Sequence, residues 1–358
     1  MFALGSNGSS QLGIGHAEDV SVPKPVIFNE STPGQITKVK AGGNHTLLLS
    51  NGTLYCSGDP SSGACGLEHD SVNIKSQVIK ARLFTEDLTG TSHVFLCAAT
   101  WEASIIVLQD ANGRATQVFS FGTGNKGELG LGELLFRSSK AQRIKDFPPA
   151  DLEVVDVAAS VNHVVIVLSN GDVYGWGNGR KGQLGQPEGI IYTPRKVSGI
   201  DFKVVRAVCG REFTYLVSEP QFGQHLILGS DKWAVRSNAP AAVPGWNDIG
   251  ASWGSVFVLR QDGTLLSWGR DDHGQLVPSN LPPLSQIAIG SEHVLGLSLQ
   301  GEVFAWGWGE HGNCGPNVTN GDVKGRWNVI ASSKYLPPGS SILSIGAGCA
   351  TSWICISG

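Results

Sequence analysis

Short apolar runs, many alternating with polar positions, recur along the whole chain and are cut off by glycine-bearing turns. Stretches with a 3.6-residue apolar period over roughly ten or more residues, which a helical solenoid requires, are nearly absent. The runs fall into two repeating pieces. The first is a short apolar run, a glycine, a polar turn, and a second glycine or small residue eight positions later. It reads FALGSNGSSQLG from Phe2, LYCSGDPSSGACG from Leu54, VFSFGTGNKGELG from Val118, VYGWGNGRKGQLG from Val173, LLSWGRDDHGQLV from Leu265 and VFAWGWGEHGNCG from Val303. A weaker copy, LILGSDKWAV from Leu226, brings the number to seven.

Upstream of these copies lies the second piece: a β-branched run, a small-residue turn, and another apolar run ending in a turn dipeptide. Examples are VKAGGNHTLLLSNG from Val39, VAASVNHVVIVLSNG from Val157, IGASWGSVFVLRQDG from Ile249 and IAIGSEHVLGLSLQG from Ile287. Asn-Gly, Asp-Gly and Gln-Gly steps between short runs are hairpin signals, because glycine reaches positive φ without a Cβ clash. Each unit therefore reads as a small antiparallel sheet. The reference glycines Gly5, Gly58, Gly122, Gly177, Gly229, Gly269 and Gly307 recur at about 40 to 65 residues, the spacing of one propeller blade.

The sequence thus predicts an all-β, seven-bladed β-propeller occupying residues 1–358 as one domain. ILSIGAGCATSWICISG ends where a second half-unit is due, and FALGSNGSSQLG supplies one at the start. Pairing the N- and C-terminal strands is expected to close the ring and remove the exposed sheet edge at the seam. Two stretches break the rhythm, Gly132 to Asp151 and Pro316 to Ser341; they read as insertions on a rigid ring, where partner contacts also concentrate.

Composition narrows the function classes. The 48 glycines, nearly twice the usual share of roughly 7%, are spread through the chain as turns require. A net charge of −4 without a Lys/Arg run argues against direct nucleic-acid binding. No stretch reaches the roughly 20 apolar residues that span a bilayer, and MFALGSNGSS lacks signal-peptide character, so a cytoplasmic and nuclear location is expected. The seven cysteines contain no C-x-x-C pair; most are expected to be reduced and buried, with no structural zinc and no cofactor.

Three G-x-G-x-x-G matches, from Gly122, Gly177 and Gly307, recur at one repeat position and precede strands, so they are expected to be turns and not dinucleotide sites. His45, His163 and His293 occupy equivalent turn positions and are expected to hydrogen-bond a neighbouring turn. The equivalent turns could bring His45, Glu102, His163, Arg211, Glu292 and His293 to one channel, but no nucleophile and base are paired in the sequence, and catalysis is not expected. Trp176, Trp268 and Trp306 precede reference glycines and read as wedge core between blades. Trp101, Trp253, Trp308 and Trp353 lie instead in or beside turns, with acidic residues and histidines nearby. The expected protein-binding surface is Trp101, Glu102, Trp253, Glu292, His293, Trp308, Glu310, His311 and Trp353: aromatics for affinity, charges for encounter.

NHVVIVLSNGDVYGWGNGRKGQLG carries the pattern best: a small-residue turn with histidine, an apolar strand ending in Asn-Gly, then Trp-Gly and Gly-Gln-Leu-Gly. The chain resembles the regulator-of-chromosome-condensation family over nearly its whole length. Within it, FALGSNGSSQLGIGH, WGWGEHGNCGP and GCATSWICI are similar to the fungal alpha-tubulin-suppressor branch, also described as killer-toxin-insensitivity proteins. That resemblance implies a non-enzymatic propeller forming a heterodimer with the small zinc-binding protein of diphthamide synthesis. Through that partner it implies support of diphthamide formation on elongation factor two and of Elongator-dependent wobble-uridine modification in tRNA. The alternative is a guanine-nucleotide exchange factor for a Ran-type small GTPase; no exchange hairpin is assignable, and the basic N-terminal tail of that branch is lacking.

Overall fold

The computed structural model describes residues 1–29, 33–66, 77–81 and 93–357 and arranges them as seven antiparallel sheets around a central channel. Blade 1 combines the two ends of the chain: Ile342–Ala347, Thr351–Ile356, Phe2–Gly5 and Val20–Pro25, from the channel outward. Blade 2 holds Ile36–Ala41, His45–Ser50, Thr53–Gly58 and Ile79–Lys80; blade 3 holds His93–Ala99, Ala103–Gln109, Ala115–Thr123 and Arg137–Arg143. Blade 4 holds Val154–Ser160, His163–Leu168, Val173–Asn178 and Ile190–Lys196. Blades 5 and 6 have three strands each, Arg206–Cys209, Phe213–Val217 and His225–Gly229, then Trp246–Ala251, Ser255–Arg260 and Leu265–Gly269. Blade 7 holds Leu284–Ile289, His293–Ser298, Glu302–Trp308 and Asp322–Ser332.

The predicted closure is present. Phe2–Gly5 pairs with Thr351–Ile356 in the register Phe2 to Ile354 and Gly5 to Thr351, so the seam is an ordinary antiparallel ladder. The reference glycines explain their own recurrence. All seven have φ between 99° and 116°. A Cβ on Gly177 would stand 2.4 Å from the Asn162 carbonyl oxygen, and one on Gly307 2.6 Å from that of Glu292, because the third strand must pass close to the second as it turns away.

Blades are stitched together by side chains as well as by apolar packing. The Trp176, Trp268 and Trp306 indole N–H groups donate to the Glu128, Val235 and Gln275 carbonyls of the preceding blades at 2.8, 2.7 and 3.0 Å, and the rings are buried as wedge core. His45, His163 and His293 are buried too. Their Nε2 atoms meet Ser104 Oγ, Thr214 Oγ1 and Ser352 Oγ of the next blade at 3.1, 3.1 and 2.9 Å. Each hydroxyl donates onward to a carbonyl of the histidine's own blade: Ala64, Gln183 and Asn313. With the hydroxyl proton so used, Nε2 must be the donor, and burial without a counter-charge keeps the imidazole neutral. Burial pushes all three histidines down to about 4. They are clips between blades, not channel groups, and the expected turn contact is in fact a contact to the neighbouring second strand.

Most of the cysteines are unpaired, as expected, with one pair the exception. Cys56 and Cys65 are bonded as a disulfide, with Cα atoms 5.5 Å apart, because the loop after Thr53–Gly58 folds back over the strand it leaves. Cys97, Cys209, Cys314, Cys349 and Cys355 are free. The irregular fifth unit replaces its outer strand with a helical turn at Lys232–Ala234, in which Trp233 (φ 70°) and Ala234 (φ 55°) are left-handed. No helix among the described residues follows any G-x-G-x-x-G segment; turns and strands do.

Candidate protein-binding face

In every blade the turn between the first two strands and the loop leaving the third strand open on the same side. Backbone bonds join them: Asn178 N–H donates to the Asn162 carbonyl at 2.7 Å, and Trp308 N–H to the Glu292 carbonyl at 2.9 Å. Trp101 and Trp253, from turns, therefore share a face with Trp233 and Trp308, from loops. The turns also bond to one another around the channel mouth. Gly43 donates to Trp101, Trp101 to Val161, Arg211 to Trp253, Trp253 to Ser291 and Ser291 to Gly348, all backbone N–H to carbonyl at 2.9 to 3.0 Å.

Trp101 and Trp253 come from opposite sides of this ring, blades 3 and 6, yet their ring centroids are 6.1 Å apart at a 43° tilt. The pair bridges the channel mouth. Gly43 provides space for it, since a Cβ there would stand 2.5 Å from the Trp101 ring. The Arg211 guanidinium lies 5.3 Å from the Trp253 centroid, a cation–π arrangement. Trp101 remains 36% exposed, and Glu102 beside it is exposed.

Outward from the mouth, Trp233 is 43% exposed and packs over Gly254, next to Trp253. Arg270 and Lys232 stand 5.0 and 5.3 Å from its centroid. Arg270 ion-pairs with Glu292 and, at 2.7 Å, with Asp272. Farther out the Trp308 ring sits 5.2 Å from His311 and 6.2 Å from His273. Each imidazole is held by a carboxylate: His311 Nδ1 to Asp19 at 2.7 Å, His273 Nδ1 to Asp322 at 3.0 Å. Glu310 is exposed at the edge of this group.

Six of the nine expected residues, Trp101, Glu102, Trp253, Trp308, Glu310 and His311, reach this face at least in part. Three do not serve as free contacts. His293 is fully buried, because it begins the second strand and points between blades. Trp353 is 1% exposed, two residues into the equivalent strand of blade 1, and packs on Ala3, Leu12 and Ile14. Glu292 is buried and committed to Arg270 and to Gln275, whose amide donates at 2.7 Å; burial pushes its carboxyl above the usual range, against the pull of those two partners. Arg211 holds the same repeat position as Trp101 and Trp253, so aligning the turns points to it. Trp233 and Arg270 carry no such signal, since the loop that brings them together lies in the irregular unit. Among the described residues no three His, Cys, Asp or Glu side chains converge as metal ligands.

The face is aromatic and flanked by paired charges: material for a protein interface, with tryptophan and arginine as anchors. Its scaffold is shared with known proteins. An RCC1 repeat-containing protein of Schizosaccharomyces pombe is 34% identical over 374 aligned residues, covering 99% of this chain and 98% of that one. The secretion-regulating guanine nucleotide exchange factor of Mus musculus is 26% identical over 80% of this chain and 63% of its own length. Among solved structures, Prp20p of Saccharomyces cerevisiae superposes with a TM-score of 0.82 at 20% identity, over 99% of this chain and 90% of that chain, a likeness of fold. Residues 1–354 match the family model of the RCC1-like domain, and the chain belongs to that family.

Proposed function

We propose that this propeller is a non-enzymatic binding protein whose aromatic face holds a small protein partner, and that the partner is the zinc-binding protein of diphthamide synthesis. In this reading the heterodimer supports diphthamide formation on elongation factor two and, with Elongator, wobble-uridine modification, in the cytoplasm and nucleus. The observation that carries it is the placement of WGWGEHGNCGP, one of the segments similar to the alpha-tubulin-suppressor branch. It sets Trp308 partly exposed between two carboxylate-held imidazoles on the same face as the Trp101–Trp253 pair. Aromatic anchors already packed against neighbouring side chains lose less freedom on binding.

The test is calorimetry of the purified chain with the recombinant zinc protein. A one-to-one complex is expected, weakened at least about tenfold by Trp308→Ala with the melting curve preserved. A second reading, nucleotide exchange on a small GTPase, draws support from the exchange-factor relative. Accelerated release of a fluorescent nucleotide from a Ran-type GTPase, without binding of the zinc protein, would favour it instead.

A further inference from the structure

The seven innermost strands enclose a cavity of about 590 Å³, in the size range of small-molecule sites. The Trp101–Trp253 pair lies across one mouth and makes the channel a cup with an aromatic floor. The walls are charged at one level. Lys38, Asp156, Arg206 and Asp248 occupy equivalent register positions in blades 2, 4, 5 and 6, each opposite the residue four places after the start of its second strand. Arg206 is shared between Asp156 at 3.3 Å and Asp248 at 3.2 Å, which accounts for both carboxylates.

Lys38 and Lys40 are left over. They lie two residues apart on Ile36–Ala41 and so point the same way, and both are exposed within the channel lining. Neither ammonium has a hydrogen-bond or ion-pair partner among the described residues. Partial burial, then the Lys40 and Arg206 charges, hold Lys38 below its ordinary value, against the opposing pull of Asp156 and Asp248. Three cations against two carboxylates leave the cup positive although the chain carries −4 overall. Two ammonium groups on one channel wall, without a hydrogen-bond or ion-pair partner among the described residues, set up a local positive field that attracts a small anion.

We propose that the channel is a binding site for a small multivalent oxyanion, of the phosphate or pyrophosphate class, held between Lys38 and Lys40. The lysines stand on the channel wall behind the Trp101–Trp253 pair, and the inference does not rest on the partner reading. Compact ammonium groups act as point charges toward such oxygens. The innermost strands are sheet edges, so the wall also offers backbone N–H donors.

Calorimetric titration of the whole chain with inorganic pyrophosphate tests this. One saturable site is expected, weakening as salt rises and losing about tenfold or more in affinity in the Lys38→Gln/Lys40→Gln double variant. Because neither lysine holds another residue, that variant is expected to melt like the parent. Lys38→Arg/Lys40→Arg is expected to retain most of the affinity. The proposal fails if the parent shows no saturable uptake up to millimolar pyrophosphate, or if a folded double glutamine variant binds as the parent does.

Discussion

His293 Nε2 donates to Ser352 Oγ at 2.9 Å across the joint between blade 7 and blade 1, and Ser352 Oγ donates back to the Asn313 carbonyl of blade 7 at 2.9 Å. The ring closes through this three-atom relay as well as through the Phe2–Gly5 ladder. His45 with Ser104 and His163 with Thr214 repeat it, whereas Ala103, Phe213, Ser255 and Thr351 stand at the histidine position in the other four blades.

His293→Ala is expected to destabilise the protein by about 2 to 3 kcal/mol, combining a lost buried hydrogen bond with a cavity. A double-mutant cycle with Ser352→Ala by denaturant unfolding should give a coupling of about 1 kcal/mol. Strict additivity would mean that the relay contributes nothing.

Acid should open the ring before it titrates the surface carboxylates. The three histidines sit at about 4 in the fold and near 6.5 when unfolded. The unfolded chain therefore binds more protons between those values, and stability falls as pH drops from about 6.5 toward 4. Each histidine supplies up to about 3 kcal/mol of that loss. Urea midpoints measured from pH 8 to 4 check it; a flat profile above pH 5 would contradict the assignment of neutral imidazoles.

Gly177→Ala is expected to cost about 2 to 3 kcal/mol, since φ is 100° and the new Cβ would press on the Asn162 carbonyl. Gly113→Ala is the control. Its φ is 77° with nothing within 4 Å, so only about 1 kcal/mol of backbone cost applies. Equal effects on thermal melting would refute the close-approach explanation.

Arg270→Ala should leave the Glu292 carboxylate buried without its cation and cost about 2 to 4 kcal/mol at neutral pH. A carboxyl whose folded-state value is raised penalises the fold above that value and relieves it below. The variant should therefore regain stability relative to the parent as pH falls from 7 to 5, and adding Glu292→Gln should restore part of it at pH 7. Chemical denaturation at both pH values reads this directly.

The blade count, the seven glycine positions, the closing strand pair and the Trp176, Trp268 and Trp306 wedges were legible in the residues because each is local chemistry repeated at a fixed spacing. A hairpin glycine needs positive φ wherever it stands, and seven copies leave few other folds. Which turn residues face solvent was not legible. Trp353 and Trp253 both read as turn tryptophans, yet four residues of register put one in the core and the other at the channel mouth. Likewise Glu292 and Glu102 follow the same repeat position, but only Glu292 meets an arginine from the preceding blade. The meeting of Trp101 with Trp253, the pairing of Cys56 with Cys65, and the unmatched Lys38 and Lys40 depend on how seven sheets are arranged around an axis. Sequence specifies the strands and turns through short-range sterics and hydrophobic period; the contacts across the ring exist only once closure has fixed the distances between blades.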